Sequence, residues 1–279
     1  MSIAGGVHRA LERARSISCK AVQIFTRNQL RWSAPALREE EIVSFHSLKA
    51  EFKILAHASY LINLASPEEE IYRKSIEALR EELQRCCILG IPALILHPGA
   101  HRGRGIEWGI ERLAEGAHRV YSSGQCGGVR LTLETTAGGG SILGGSFEQL
   151  RDLLGALEAA GVPAGVCFDT CHVFAAGYEL RTRRGYHSTW QRFERVIGRE
   201  QLVALHLNDS LGALGSARDR HTHIGRGRIG RSGFRLLARD PCLAKLPGIL
   251  ETPKGPDMRE DVENLRLLRS LGRSRGRTV

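Results

Sequence analysis

No apolar run in this 279-residue chain approaches the roughly 20 residues needed to cross a bilayer. Its first residues, Met1-Ser2-Ile3-Ala4-Gly5-Gly6, lack the charged-then-apolar layout of a secretory signal. The pattern therefore excludes a membrane span and argues against export. No two of the seven cysteines stand as Cys-x-x-Cys, and their number is odd. That excludes a disulfide framework and leaves buried, reduced thiols in a reducing compartment, the cytoplasm, as the expectation for all seven. No Gly-x-Gly-x-x-Gly turn follows a first strand, which weakens a dinucleotide-binding fold. Lysine is scarce, with Lys20, Lys49, Lys53, Lys74, Lys245 and Lys254 the only ones among 40 basic residues.

What is present is enough for a core. Hydrophobic residues make up 42% and charged residues 25%, which is a globular rather than a disordered composition. Forty Lys and Arg against thirty Asp and Glu leave a formal charge of +10, a balance that favours a polyanionic partner such as nucleic acid. The dominance of arginine over lysine is also what GC-rich codons produce. Part of the excess lies in Arg266, Arg269, Arg273, Arg275 and Arg277. With no composition break earlier, one domain is expected over residues 1–271, followed by a basic, disordered tail over 272–279.

Short β-rich runs alternate with helical patterns from end to end. Strands are expected at 21–25, 52–57, 93–97, 131–134, 164–169, 202–206 and 247–251. Helices are expected near 36–49, 67–89, 106–121, 146–160 and 189–197. Ser66 is expected to cap the second of these, with Pro67 in its first turn, Glu68, Glu69 and Glu70 complementing its dipole and Gly90 ending it. Ser146 is expected to cap the fourth. This rhythm means parallel strands with crossover helices, in a barrel or in an open doubly wound sheet. Seven strands are one short of the eight of a TIM barrel, and the shortage falls at the N-terminus, where Met1 leads almost directly into a helix-like stretch. Such a gap would expose two ladder edges and open the core.

Six strands finish at or just before a potential metal donor: His57, His97, Glu134, Asp169, His206 and Glu251. In a parallel barrel, all these ends face one rim. A lone His at a strand end is more often structural, but six donors in register are not a chance placement. Asp169 and His172 stand three apart where a strand turns into a loop. Asp219 and His221, two apart in an extended loop, point the same way. Imidazole and carboxylate without paired thiolates suit zinc or manganese, and nine candidates are too many for one ion. They read as a multi-metal hydrolytic centre that activates water and grips phosphate. Loops at Thr135–Ser141 and Gly225–Arg228 either cradle phosphate or simply turn.

These residues resemble the endonuclease IV (deoxyribonuclease IV) family of zinc-dependent apurinic/apyrimidinic endonucleases. The likeness runs from about Ala4 to Glu251 through Phe25-Thr-Arg-Asn28, His57-Ala-Ser-Tyr60-Leu-Ile-Asn-Leu, His97-Pro-Gly-Ala-His101, Leu133-Glu134-Thr-Thr-Ala-Gly, Phe168-Asp169-Thr-Cys-His172-Val-Phe-Ala-Ala-Gly-Tyr178, His206-Leu-Asn-Asp209, Asp219-Arg-His221 and Leu250-Glu251-Thr252. The resemblance implies a TIM barrel holding three zinc ions, with manganese an option in part. His57, His97 and Glu134 would hold the first ion; Glu134 would bridge to a second completed by Asp169, His206 and Glu251; His172, Asp219 and His221 would hold the third. It further implies hydrolysis 5′ to an abasic site in double-stranded DNA, leaving a 3′-hydroxyl and a 5′-deoxyribose phosphate. Glu251 would orient or deprotonate the water, with Glu134 also catalytic. Asn28, Arg31, Tyr60 and Arg226 would meet the DNA, and the enzyme is expected to act as a monomer at the nucleoid.

The chain departs from the family where an initial strand resembling Ile-Gly-Ala-His-Val is lacking, where Leu30 stands for a frequent Arg, where Leu211 stands for Lys, and where Arg226 stands for Glu. Two other readings remain at this point: a divalent-metal sugar isomerase or epimerase on a related barrel, and a truncated DNA-binding remnant without activity.

Overall fold

The computed structural model describes residues 1–124 and 128–273. Helix α1 (Val7–Ser16) precedes β1 (Ala21–Phe25) and α2 (Glu39–Lys49). Then come β2 (Lys53–His57), α3 (Glu69–Leu89), β3 (Ala93–Leu96), α4 (Ile106–Tyr121), β4 (Arg130–Glu134), α5 (Phe147–Ala159), β5 (Ala164–Asp169), α6 (Thr170–Ala175) and α7 (Arg183–Val196). A 3-10 turn (Arg199–Gln201) leads into β6 (Leu202–His206). The two-residue strands β7 (Asp209–Ser210) and β8 (His221–Thr222) form an antiparallel pair, and α8 (Gly230–Arg239), β9 (Gly248–Ile249) and α9 (Arg259–Gly272) follow.

The large sheet is parallel, in the order β1-β2-β3-β4-β5-β6-β9. It is a nearly closed TIM-type barrel of seven strands, and among the described residues no ladder joins β9 to β1. The expected missing strand is thus a real gap in the sheet. Its edge is not bare: the Met1 amine donates to the Gln23 carbonyl at 2.5 Å, and residues 1–4 help line a 640 Å³ cavity between β1 and the segment after β9. No described helix is long and apolar enough to cross a membrane.

Alternation along each strand sends one set of side chains inward and the other against the helices. Leu55, Ile95, Cys167, Ala204 and Ile249 fill the barrel interior. Ile54, Leu94, Leu131, Val166 and Phe168 face the helical layer and join its larger core, including Leu79, Leu83, Leu113, Phe147 and Phe193. Phe168 stacks on Trp190 with ring centroids 4.6 Å apart.

Several boundaries differ from the sequence expectation. Helix α3 starts at Glu69, not at Pro67, because the Ser66 hydroxyl accepts from the Glu68 amide and closes a preceding turn instead of the helix. Gly90 ends it as expected, left-handed at φ 63°. Asp169 does not open into a loop: it caps α6, its Oδ1 accepting from the His172 amide at 2.8 Å. Helix α7 begins at Arg183, capped by Thr182, a first half too polar to show helical periodicity. Strand β9 covers only two residues, since Pro247 before it has no N–H to give the ladder. The cysteines are not uniformly buried, for Cys87 and Cys242 are exposed. Cys126 and most of the expected tail lie outside the described residues.

Two of the rim loops are tied together from beneath. Arg27, after β1, donates its Nε to Glu82 Oε1 at 3.0 Å and its Nη1 to the Arg31 and Trp32 carbonyls. Glu82, from α3, also accepts from the Ser59 amide of the next loop at 2.9 Å. Burial pushes the Glu82 carboxyl above its ordinary range, opposed chiefly by Arg27. Both side chains are fully enclosed, and removing Glu82 leaves Arg27 only a longer ion pair, to Glu81 at 3.5 Å. Glu82→Ala is expected to lower stability by about 3–5 kcal/mol in urea unfolding. Arg15→Ala, which breaks an exposed pair with Glu51, should leave the unfolding midpoint in place.

Candidate metal centre

His57, Glu134, Asp169 and His206 are the last residues of β2, β4, β5 and β6; His97 lies one residue beyond β3 and Glu251 two beyond β9. All six turn inward at one mouth of the barrel. Glu134 sits among them. Its Oε2 lies 3.1 Å from His57 Nε2 and 3.5 Å from His97 Nε2. Its Oε1 lies 3.0 Å from His206 Nδ1 and 3.2 Å from His172 Nδ1. Glu251 Oε2 is 3.0 Å from His206 Nδ1. The shortest link from Asp219 reaches His172 Nε2 at 3.1 Å, with His221 Nε2 at 3.2 Å.

The donor atoms gather into groups whose members lie within 4.8 Å of one another: His57, His97 and Glu134; Glu134, Asp169, His206 and Glu251; and Asp169, His172 and His221. Asp219 and His221 form another such group with Cys171, and His172 Nε2 lies 3.1 Å from Asp219 and 3.4 Å from His221 Nε2. Cys171 was unmarked by the sequence as a neighbour of this cluster. Its thiol is a poor thiolate, pushed up to about 12 by burial and then by Asp169.

Hydrogen bonds aim the rings. His57 Nδ1 lies 2.7 Å from the Ala58 carbonyl and His172 Nδ1 2.8 Å from that of Thr135. A carbonyl only accepts, so each Nδ1 carries a proton and each Nε2 is turned to the carboxylates of the centre. Two amides that the strand-end pattern does not reveal hold the carboxylates: Asn208 donates to Asp169 Oδ2 at 2.6 Å, and Gln23 donates to Glu251 Oε1 at 2.7 Å. The available signal for Gln23 was a buried amide inside an otherwise apolar strand.

Four carboxylates and five imidazoles gather here, and of the carboxylates only Asp219 is exposed. Among the described residues the carboxylates pair with histidines and with no Lys or Arg. Burial opposes every charge here. Against it, His206 and then His97 hold the Glu134 carboxyl well below its ordinary range, and His206 holds Glu251 at about 2. Burial likewise works against His172 and His221. Asp169 and Asp219 nevertheless lift His172 well above its ordinary value and raise His221 to about 9. Only His97 falls, because burial outweighs Glu134. Such a concentration of buried carboxylates, lacking guanidinium or ammonium partners and edged by imidazole lone pairs, suits divalent cations.

Of the expected DNA-facing residues, Asn28 and Tyr60 stand at the same mouth, lining one cavity with Glu251. Tyr60 is 56% exposed and packs its ring near Phe25, His57 and His97. Asn28 caps the turn at Leu30, which is 69% exposed, and Arg31 follows it. Arg226 is exposed and reaches Glu263 at 3.4 Å. At Gly225–Arg228 the amides are already engaged: the Asp209 carboxylate accepts from those of Gly225, Gly227, Ile229 and Gly230. That loop wraps an internal anion. Thr135–Ser141 turns through left-handed Gly138, Gly139 and Gly140, and the Gly138 backbone approaches Gly145 so closely that a side chain at 145 would clash.

Fold and donor set define a TIM barrel built for metal chemistry, and residues 11–271 match the family model described as xylose isomerase-like TIM barrel. The chain is 46% identical to the protein named "Probable endonuclease 4" of Chloroflexus aurantiacus, over 97% of this chain and 96% of that one. It is similar to endonuclease IV of Thermus thermophilus, with a TM-score of 0.85 and 37% identity over 97% of this chain and 96% of that one. A D-tagatose 3-epimerase-like protein shares the fold alone, at TM-score 0.71 and 16% identity, covering 96% and 94% of the two chains. The chain belongs to the endonuclease IV family.

The shifted groups set the pH behaviour of chelator-treated protein. His221 has its folded pKa raised from 6.5 to about 9, so its contribution is complete below about 6.5 and fades as pH rises through 9. Glu251 is lowered from 4.5 to about 2, so its contribution is complete above about 4.5 and fades towards pH 2. Thermal melts in chelator should therefore show the centre's contribution greatest between about pH 4.5 and 6.5. Added zinc should stabilise more strongly as pH rises, because ligation needs deprotonated imidazole.

Proposed function

We propose that this chain is a metal-dependent DNA-repair endonuclease, which hydrolyses the phosphodiester 5′ to an abasic site and leaves a 3′-hydroxyl and a 5′-deoxyribose phosphate. The observation that carries the reading is the convergence of nine family-pattern donors at one mouth. In this reading His57, His97 and Glu134 hold one zinc ion; Glu134, Asp169, His206 and Glu251 hold a second; and His172, Asp219 and His221 hold a third, with manganese able to replace zinc in part. Bound ions of this kind supply charge against a phosphate and acidify water.

The chain's own residues divide the remaining tasks. Glu134 is only 1% exposed and contacts four imidazoles, which suits a bridging, charge-holding role. Glu251 keeps 19% of its side chain open to the mouth, where it would orient the attacking water. Tyr60, with Asn28 and Arg31 beside it, presents an aromatic face and polar groups to the strand; an abasic nucleotide is cheap to extrude because no pair or full stack is broken. Arg226 adds positive charge for the backbone. All donors come from one chain, which supports action as a monomer, and a chromosomal substrate places that action in the cytoplasm at the nucleoid.

Zinc-loaded protein is expected to nick an abasic-site duplex on its 5′ side, with products resolved on a sequencing gel. His206→Ala and Glu134→Ala should abolish nicking, and Tyr60→Ala should weaken it while leaving zinc content intact. Sugar epimerisation without nicking would favour the isomerase reading, and duplex retention without nicking the inactive remnant.

A further inference from the structure

Gln23 has no place in the strand-end pattern. It sits in the middle of β1, Ala-Val-Gln-Ile-Phe, and is 6% exposed. A buried amide in an apolar strand is costly unless both its ends are bonded. Here they are. Its Nε2 donates to Glu251 Oε1 at 2.7 Å, and its Oε1 lies 2.7 Å from His206 Nε2. The carboxylate can only accept, so the nitrogen end of the amide faces Glu251 and the oxygen end faces His206. An oxygen there requires His206 to carry its proton on Nε2. The ring therefore turns Nδ1 towards Glu134 Oε1 and Glu251 Oε2, each 3.0 Å away. With Oε1 taken by Gln23, Oε2, which Asn208 Nδ2 reaches only at 3.4 Å, is the Glu251 oxygen turned to the centre.

Its position in the fold adds weight. β1 and β9 are the two edges of the open sheet, with no ladder between them among the described residues. Gln23 projects from one edge, and Glu251 follows the other, so this amide fixes a donor across a gap that backbone bonding leaves unfixed. Asn208 holds the same residue from the other side, accepting the Glu251 amide at 2.8 Å.

We propose that Gln23 is a positioning residue of the metal centre: it sets the tautomer of His206 and selects the ligating oxygen of Glu251, so that the second ion is held by His206 Nδ1 and Glu251 Oε2. This rests on the metal-dependent reading above. Gln23→Met keeps the volume and removes both bonds; Gln23→Glu keeps an acceptor opposite His206 but repels Glu251. Zinc content and affinity are measured by competition with a chromophoric chelator, and the His206 ring by ¹⁵N-resolved NMR of zinc-loaded protein.

Gln23→Met is expected to weaken one of the bound ions by about 10- to 100-fold, leave the others unchanged and lose the slowly exchanging His206 Nε2–H signal. Gln23→Glu should retain that signal and still bind the same ion more weakly, and it carries the test if the Met variant does not fold. Wild-type affinity for every ion in either variant, or a His206 ring ligating through Nε2 in the wild type, would overturn the proposal. Wild-type protein that takes up no zinc would instead overturn the metal-dependent reading on which it rests.

Discussion

Buried negative charge is the constraint around which this molecule is arranged. Glu134 and Asp169 are enclosed and Glu251 nearly so, and no lysine or arginine among the described residues pairs with them. An interior of low polarity tolerates such groups only beside compensating positive charge. Histidines lifted above their ordinary values, His172 and His221 among them, provide it in part by protonation, and divalent ions would provide it without protons. The parallel barrel makes this concentration possible, because every strand delivers its final inward residue to the same mouth. Helices α3, α4, α5 and α7 hold the strands from outside through a separate apolar layer.

Much of this was legible in the sequence, for a physical reason. Strand ends such as Leu-Ala-His57, Leu-Glu134, Phe-Asp169 and Leu-His206 place a polar residue directly after an apolar run, and a parallel fold leaves only one place for that residue to go. The gap in the strand count was legible too. Other features depend on tertiary partners that no local pattern records. The two-residue strands β7 and β8 are too short for periodicity and exist because the loop folds back on itself. The start of α3 moved because Ser66 had a nearer amide to accept from. Gln23 and Asn208 looked like ordinary polar residues until Glu251, which follows both in the chain by a long interval, came between them.

The rim loops owe their order to polar groups placed below them. Arg27 and Glu82 hold the loops carrying Asn28, Arg31 and Tyr60, and so tie the expected DNA-facing surface to helix α3, while the Tyr60 ring also packs near His57 and His97 of the centre. Leu30 replaces a frequent family Arg at the exposed tip of one of these loops, leaving an apolar side chain beside an aromatic one.

Asp209 bears on what the loop after β8 can bind. The run from Gly225 to Gly230 has the glycine spacing of a dinucleotide-gripping turn, yet its N–H groups are already saturated by a carboxylate from the same polypeptide. Asp209 acts as a resident surrogate for phosphate, a built-in plug in a socket that would otherwise compete for the backbone of DNA. What this loop can offer a polyanion is its outward guanidinium arms, a contact that weakens readily in salt.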